Sequence, residues 1–313
     1  MTERLHVILN PTSAGGRTAR RWPDFHRDIE KRFGTFSLSE TTAPFSGERL
    51  TRQALENGST HIMAIGGDGT FSEAANGFFE ARRLVNPDAE LSCLTSGSGC
   101  DLRKTLGWPT VGNHEQMLDA IKSGAKRQID LGHMTLIRPD GTPGERYFIN
   151  VTSFGLGGAV CTAVNNATIA KHLGGRFAFT WHALTQGLLY RNQMVRIKID
   201  DDFEEEVNLT IAAVANCRYF GGGLMVAPEA DPQDGLFDVL IGRDVAKAEL
   251  PGLLVAIRSV KHLGHPKVLS RKATRVEATP LDKNPVRHDV DGEAAGALPS
   301  AYEVLPGVLT LRG

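Results

Sequence analysis

The segment HIMAIGGDGTFSEAANGFF at 61–79 constrains the fold of this chain most, because a glycine-rich turn joins a buried strand to an amphipathic helix. Glycines at 66, 67 and 69 allow the backbone to turn sharply and to approach an anion closely. The following helix adds oriented N–H groups and partial positive charge. We therefore predict a phosphate-binding turn. The alternative is an ordinary glycine-rich turn, which would have no use for the carboxylate of Asp68.

The first 130 residues alternate short apolar runs with helical patterns, which is typical of a parallel sheet covered by helices. A helical stripe includes Phe25 and Ile29, and a second helix is predicted over Gly47–Asn57. The predicted strands are Leu5–Asn10, Phe36–Thr41, His61–Ile65 and Leu91–Thr95. The pattern predicts an N-terminal α/β domain over residues 1–130.

Residues 131–313 favour a second, β-rich domain. Val195, Ile197 and Ile199 alternate with polar residues, as in a half-buried antiparallel strand. One helix is predicted over Lys247–Ser259, and the last residues, about 300–313, are candidates to return to the first domain. Further strands are predicted at 207–216, 235–242, 273–279 and 308–312.

Charge and cysteine content exclude several classes of protein. The chain has 35 Lys and Arg against 36 Asp and Glu, so it offers no global attraction to nucleic acid. No apolar run approaches the roughly 18 residues of a transmembrane segment, and the N-terminus lacks the pattern of a signal peptide. Four widely spaced cysteines suggest neither a zinc site nor a disulfide framework, so we expect a cytoplasmic protein.

Two more loops follow predicted strands, at 10–17 (NPTSAGGR) and 95–101 (TSGSGCD). Because the carboxyl ends of parallel strands meet at one edge of a sheet, these loops could face the same ligand as the GGDGT turn. Each of them, taken alone, is equally consistent with a simple turn.

Five segments together resemble the diacylglycerol kinase catalytic-domain family, which includes bacterial lipid kinases and the sphingosine and ceramide kinases. They are NPTSAGG (10–16), GGDGT (66–70), SGSGCDL (96–102), GGGLMVAPEADPQDGLFDV (221–239) and DGE (291–293). The resemblance implies an ATP-dependent kinase of a lipid hydroxyl, with a three-layer α/β nucleotide-binding domain and a β-sandwich-like domain for the lipid. GGDGT alone also occurs in NAD kinases, so a kinase of a soluble substrate is the alternative enzyme. A non-catalytic nucleotide- or lipid-sensing protein is the alternative without catalysis.

The resemblance also implies the residues of the site. Asp291 matches the family's general base, and Glu293 would share its face if 286–293 is a strand. The alternative for this segment is a surface turn at Asp291-Gly292. The residues that would bind the nucleotide are Asn10, Thr42, Gly66, Gly67, Asp68, Gly69, Thr70, Ser72 and Ser98.

A metal site is implied in the loop APEADPQDGLFD. Asp231, Asp234 and the backbone carbonyl of Leu236 would bind Mg²⁺ through hard oxygen ligands. The alternative is an acidic turn without an ion. Asp130 also matches an acidic position of the family and would orient the site rather than contact the substrate.

Some positions depart from the family pattern. Ala14, Gly15 and Gly16 replace the usual Gly-Lys, so that Arg17 is the first cation of the loop, and Cys100 replaces an Asn. We expect altered nucleotide affinity rather than lost chemistry. The segment SFGLGGAV at 153–160 has no carboxylate, which weakens an assignment to sphingosine.

The lipid side of the sequence is less specific. An apolar stretch over 177–190 could line an acyl-chain pocket or rest on a bilayer, and a buried helix is an equal alternative. We expect a peripheral protein at the inner membrane surface, with a lipid substrate and no nucleic-acid partner. The resemblance also permits a homodimer.

Overall fold

The computed structural model describes residues 3–96, 100–108, 113–166 and 185–313. The chain divides into two compact units, Met1–Ile129 with Gly307–Gly313, and Asp130–Pro306. We call them the first and the second unit.

The strands are β1 Leu5–Leu9, β2 Ser37–Glu40, β3 His61–Gly66, β4 Phe79–Glu80, β5 Arg83–Leu84, β6 Glu90–Thr95, β7 Lys126–Ile137, β8 Pro143–Phe148, β9 Val151–Gly155, β10 Gln193–Ile199, β11 Phe203–Ala215, β12 Tyr219–Phe220, β13 Leu224–Met225, β14 Phe237–Arg243, β15 Val268–Ala273, β16 Arg275–Pro280, β17 Arg287–Val290, β18 Glu293–Ala297 and β19 Ser300–Arg312. The helices are α1 Ser13–Phe33, α2 Ser46–Glu56, α3 Asp68–Gly77, α4 Asp101–Leu106, α5 His114–Ser123, α6 Leu156–Asn166 and α7 Leu250–Arg258. Residues 185–189 are also helical.

The first unit is built on a parallel sheet with the strand order β2-β1-β3-β6-β19. Val7 lies beside Met63 in this sheet, and Leu91 beside Leu311. Phe25 of α1 and Leu118 of α5 are fully buried in the core on one face. Alternate residues of a strand point to opposite faces, and α2 and α3 pack against each other and against β1 and β3. This arrangement confirms the predicted three-layer α/β fold.

The second unit consists of antiparallel strands that enclose their own apolar core. Val195, Ile197 and Ile199 of β10 are all buried in that core, as the period-two pattern predicts. The stacked rings of Phe148 and Phe237 lie 5.4 Å apart in it. The unit has the predicted β-sandwich-like character. Helix α6, which follows β9 directly, was not predicted.

Candidate active site

The GGDGT segment forms the turn between β3 and α3. A Cβ on Gly66 would lie 2.3 Å from Oγ1 of Thr70, so the turn requires glycine there. Gly67 precedes the helix in an extended conformation, and a Cβ on it would meet no atom within 4 Å. Open backbone beside the first turn of a ten-residue helix is a suitable place for a phosphate group.

The carboxylate of Asp68 binds the start of helix α4. Both oxygens accept hydrogen bonds from the backbone N–H of Asp101 at 3.0 Å, and Oδ1 accepts another from Leu102 at 3.3 Å. Burial and the neighbouring Asp101 carboxylate raise the pKa of Asp68 to about 6. Asp68 therefore joins the GGDGT turn to the chain that follows the third loop.

Asn10 joins the first loop to the GGDGT turn. Its Nδ2 donates a hydrogen bond to Oγ1 of Thr70 at 3.0 Å. Its Oδ1 accepts hydrogen bonds from the backbone N–H and the hydroxyl group of Thr12, at 3.1 and 2.9 Å. Two of the predicted nucleotide-binding residues, Asn10 and Thr70, are therefore in direct contact.

Three hydroxyl groups that the sequence analysis did not identify connect the first and third loops. Oγ of Ser96 lies 3.2 Å from Oγ of Ser13 and 2.5 Å from Oγ1 of Thr18. The backbone N–H of Ser96 donates to the carbonyl of Gly66 at 3.0 Å. The loops after β1, β3 and β6 are thus held together at the carboxyl edge of the sheet. Ser13 and Ser96 lie in two of the five segments that resemble the family, and this was the available signal, whereas nothing in the sequence marked Thr18.

The remaining predicted nucleotide-binding residues lie in different environments. Thr42 is exposed after β2, where its backbone N–H donates to Oγ of Ser46 at 3.2 Å. Ser72 is buried inside α3, with 3% of its surface exposed. Gly69 is half-buried in the first turn of the same helix, and Ser98 lies outside the described residues.

The first loop contains an unusual backbone conformation. Ala14, Gly15 and Gly16 have φ values of 55°, 66° and 78°, which form a left-handed run before the regular part of α1. Glycine adopts this conformation readily, which accounts for the two glycines. Nε of the exposed Arg17 donates to the carbonyl of Ala14 at 3.0 Å, so this cation bonds to its own loop.

Cys100 stands before α4, beside Asp68. Burial raises the pKa of its thiol well above the usual range, and the thiol is hydrogen-bonded to the Asp68 carboxylate. The replacement for the usual Asn is therefore a neutral group at a buried position.

A further carboxylate, Glu73, was missed by the sequence analysis. Its two oxygens accept hydrogen bonds from the backbone N–H groups of Phe45 at 2.9 Å and Gly47 at 2.8 Å, at the start of α2. An acidic residue next to the apolar stripe of Phe71, Ala74 and Ala75 is a signal that could have identified it. Helix α3 thus supports the N-termini of two neighbouring helices.

In the second unit, Asp291 and Gly292 form the two-residue turn of a β-hairpin. Their φ values are 49° and 88°, and Val290 lies opposite Glu293 in the ladder. Positive φ at both central residues is typical of tight hairpin turns, and Asp-Gly is a favoured sequence for them. Residues 286–293 therefore do not form one strand, and the condition under which Asp291 and Glu293 would share one strand face is not met.

This turn is not a solvated surface turn, because Asp291 is only 8% exposed. Its Oδ2 accepts a hydrogen bond from the backbone N–H of Ile149 at 3.0 Å. Its Oδ1 accepts from Asn150 at 2.9 Å and Val151 at 3.2 Å. Three backbone donors from one segment hold the carboxylate in a single orientation, while Glu293 is half-buried at the start of β18.

Asp289, which was not predicted, supports the same turn. Its Oδ1 accepts a hydrogen bond from the backbone N–H of Gly292 at 2.8 Å, and its Oδ2 accepts one from Oγ of Ser153 at 3.1 Å. The thiol of Cys161 donates to the carbonyl of Gly292 at 3.2 Å. Burial raises the pKa of Asp289 to about 7. The spacing of Asp289 and Asp291 was the available signal.

A cation from outside the predicted metal loop, Lys272 of β15, pairs with that loop. Oδ2 of Asp234 lies 2.7 Å from Nζ of Lys272, and its Oδ1 accepts from the backbone N–H of Leu236 at 3.0 Å. Oδ1 of the exposed Asp231 accepts from the backbone N–H of Gln233 at 3.2 Å. Carboxylates and a carbonyl suit Mg²⁺ in kind, but an ion would compete with Lys272 for Asp234.

Asp130 anchors this loop. It is 1% exposed, and its Oδ2 accepts a hydrogen bond from the backbone N–H of Gly235 at 2.8 Å. Its own N–H donates to the carbonyl of Pro232 at 2.7 Å. These contacts give Asp130 an orienting position within the second unit.

The second unit also contains an apolar cavity of about 360 Å³. Its lining comes from α6, segment 185–189, β11 and α7, with Phe220 and Leu224, and Lys247 is its charged member. Leu188, from the apolar stretch predicted at 177–190, contributes to the lining, whereas Phe177, Phe179 and Trp181 lie outside the described residues. In the part of the chain that the structure describes, every helix is too short or too polar to cross a bilayer.

Two family models match the chain. The diacylglycerol kinase catalytic domain matches residues 4–134, and the YegS C-terminal NAD kinase beta sandwich-like domain matches residues 150–313. A diacylglycerol kinase of Staphylococcus carnosus is 28% identical over 307 residues, which cover 96% of this chain and 92% of that protein. A diacylglycerol kinase of Mycobacterium tuberculosis is 27% identical over 260 residues, 83% of this chain and 79% of that protein.

Solved structures share the fold. A crystal structure from Bacillus anthracis str. Sterne superposes with a TM-score of 0.76 at 21% identity, over 99% of this chain and 94% of that chain. Another, of a diacylglycerol kinase from the same organism, has a TM-score of 0.68 at 18% identity and covers 99% of this chain and 96% of that chain.

Proposed function

Because this chain belongs to the diacylglycerol kinase catalytic-domain family, we propose that it transfers the γ-phosphoryl group of ATP to a hydroxyl group of a diacylglycerol-like lipid. The observation that carries this proposal is the apolar cavity in the second unit. A dinucleotide such as NAD is polar and has little need for an apolar pocket of about 360 Å³, whereas an acyl chain requires one.

On the donor side, the nucleotide phosphates bind where the GGDGT turn meets α3. The backbone N–H groups at 66–69 and the hydroxyl group of Thr70 supply donors, and Asn10 fixes that hydroxyl group. Asp68 contributes through its bonds to α4, which hold the third loop in place. Thr42, Ser72 and Ser98 complete the proposed nucleotide set.

On the acceptor side, Asp291 is the general base. The lipid hydroxyl gives its proton to the carboxylate as its oxygen forms a bond to the γ-phosphorus, and ADP leaves. The three backbone N–H groups at 149–151 keep the carboxylate in one orientation, which favours a fixed distance to the reacting hydroxyl. Glu293 is the second of the two proposed catalytic carboxylates.

Mg²⁺ supplies positive charge that offsets the charge of the transferring phosphoryl group. Asp231, Asp234 and the carbonyl of Leu236 would hold an ion in the second unit, in competition with Lys272. We propose that the protein works in the cytoplasm at the inner surface of the membrane, where its lipid substrate lies.

The test is an incubation of the full chain with γ-labelled ATP, Mg²⁺ and micelles that carry diacylglycerol, monoacylglycerol, phosphatidylglycerol, sphingosine or ceramide. Label in a glycerolipid, absent with Asp291→Asn, is the expected result. Label in NAD, and in none of the lipids, would instead identify a kinase of a soluble substrate. Nucleotide binding without any transfer would identify a sensing protein.

A further inference from the structure

Exposed apolar side chains cluster on one part of the second unit. In the described part of the chain, seven large hydrophobic side chains are exposed, and four of them lie in segment 185–189 or in and just after α7. Leu189 is 72% exposed, and Leu188 and Val255 are each 64% exposed. Val260 follows at 39%. Such a concentration differs from scattered surface residues and indicates an interaction surface.

The two segments are in contact. Nζ of Lys247, just before α7, donates a hydrogen bond to the carbonyl of Leu188 at 2.6 Å. Both segments also line the apolar cavity, through Gly187 and Leu188 on one side and through Leu250 and Leu254 on the other. The exposed side chains therefore border the cavity.

The charge around this surface selects the partner. Residues 245–267 contain four basic residues, Lys247, Arg258, Lys261 and Lys267, and one acidic residue, Glu249. The acidic residue pairs with Lys267 at 2.5 Å, so the excess positive charge of this stretch is carried by Lys247, Arg258 and Lys261. Apolar side chains with adjacent exposed cations are typical of surfaces that bind anionic bilayers.

We propose that α7, residues 258–261 and segment 185–189 form the surface by which this protein docks on a membrane that contains anionic phospholipid. The apolar side chains enter the outer part of the hydrocarbon layer, and the cations lie among the lipid phosphates. When the protein is docked on the bilayer, the cavity lies next to the lipid. An acyl chain can then move from the bilayer into the cavity without crossing water. This use of the cavity rests on the proposed lipid-kinase function, whereas docking itself does not.

The experiment is sedimentation of the full chain with vesicles of phosphatidylcholine alone, or with about 30% phosphatidylglycerol. The double variant Leu189→Glu, Val255→Glu changes exposed residues that do not line the cavity. Its partition onto anionic vesicles should fall about tenfold. Leu281→Glu, at an exposed apolar residue elsewhere in the same unit, is the matched control and should bind like the wild type.

A second variant, Lys261→Ser, should lower the partition onto anionic vesicles about fivefold and leave the weak binding to phosphatidylcholine unchanged. Equal binding of wild type and double variant, or of the two vesicle types, would overturn the proposal. Phosphorylation of a monomeric short-chain diacylglycerol, measured in parallel without vesicles, separates the two proposals. If the wild type does not phosphorylate the short-chain diacylglycerol, the proposed kinase function is contradicted. The docking proposal is decided by vesicle binding alone.

Discussion

Each of the two units contains an aspartate whose carboxylate accepts hydrogen bonds from several backbone N–H groups. Asp68 in the first unit accepts hydrogen bonds from the backbone N–H groups of residues 101 and 102, at the start of helix α4. It follows Gly67, beside whose backbone there is open space. Asp291 in the second unit binds consecutive residues 149–151 and stands in a left-handed hairpin turn.

The same kind of hydrogen bonding therefore serves two purposes. In the first unit the carboxylate builds the scaffold, and glycine and helix N–H groups remain for an anion. In the second unit the backbone N–H groups are used to fix the carboxylate, which is itself the proposed reactive group. Substitution by a residue without the negative charge should separate the two purposes.

Asp291→Asn should have the largest effect on activity. We expect kcat to fall about a thousandfold, because the amide cannot accept the proton, while the KM for ATP stays near the wild-type value. Steady-state kinetics with the phosphorylated lipid as product measure both constants.

Glu293→Gln is the matched control, and its kcat should fall much less than that of Asp291→Asn. If Glu293→Gln is inactive and Asp291→Asn is not, the general base is Glu293 and the proposed roles of the pair are reversed.

Asp68→Ala should act on the scaffold. Loss of the bonds to Asp101 and Leu102 leaves buried N–H groups without their acceptor and should lower the free energy of unfolding by about 1–3 kcal/mol. The KM for ATP should rise several-fold while kcat changes little. Chemical denaturation and kinetics at varied ATP test this, and an unchanged KM with a strongly reduced kcat would place Asp68 at the reacting group.

Asp289→Asn tests a carboxylate that has fewer backbone donors than its neighbour Asp291. The folded pKa of about 7 lies above the usual value of 3.8, so the folded protein holds a proton that the unfolded chain releases. Wild-type stability should therefore fall as pH rises towards 7, and the variant, which does not titrate there, should gain in relative Tm. Thermal unfolding at pH 5.5 and 8 measures this, and parallel pH profiles would show that Asp289 is already ionised.

Lys272→Met should have the smallest effect and concerns a carboxylate, that of Asp234, which is held by one lysine and one backbone N–H group. Removal of the ammonium group frees Oδ2 of Asp234, so Mg²⁺ should raise the Tm of the variant by a few degrees more than that of the wild type. Lys267→Met, which breaks the ion pair with Glu249, serves as the control. Equal Mg²⁺ effects in all three proteins would argue against a metal site in this loop.

Local patterns predicted most of the fold. The strand at His61–Gly66 and the buried alternation of Val195, Ile197 and Ile199 follow directly from hydrophobic periodicity. For the segment around Asp291, the sequence left open whether 286–293 is one strand or Asp291-Gly292 is a turn. The Asp-Gly pair was the stronger signal, since it meets the positive φ of a hairpin turn.

The candidate site was predictable where one motif supplies several residues, as at 66–70. It was not predictable where partners meet through tertiary structure. Glu73 binds N–H groups at 45 and 47, and Ser13 contacts Ser96 across the sheet edge. Such pairs are separated by tens of residues, and hydrogen-bonding polar side chains carry no periodicity of their own.

Strand β19 belongs to the second unit up to Pro306 and to the first unit from Gly307, and this has a consequence for biosynthesis. Leu311 pairs with Leu91 in the sheet of the first unit, Trp108 Nε1 donates to the carbonyl of Gly313 at 3.2 Å, and Arg312 lies 2.8 Å from Glu3. The earliest synthesised part of the chain thus lacks one strand of its sheet until residues 307–313 have left the ribosome. Nascent chains that stop before this strand will hold an open sheet edge, a preferred target for chaperones and proteases.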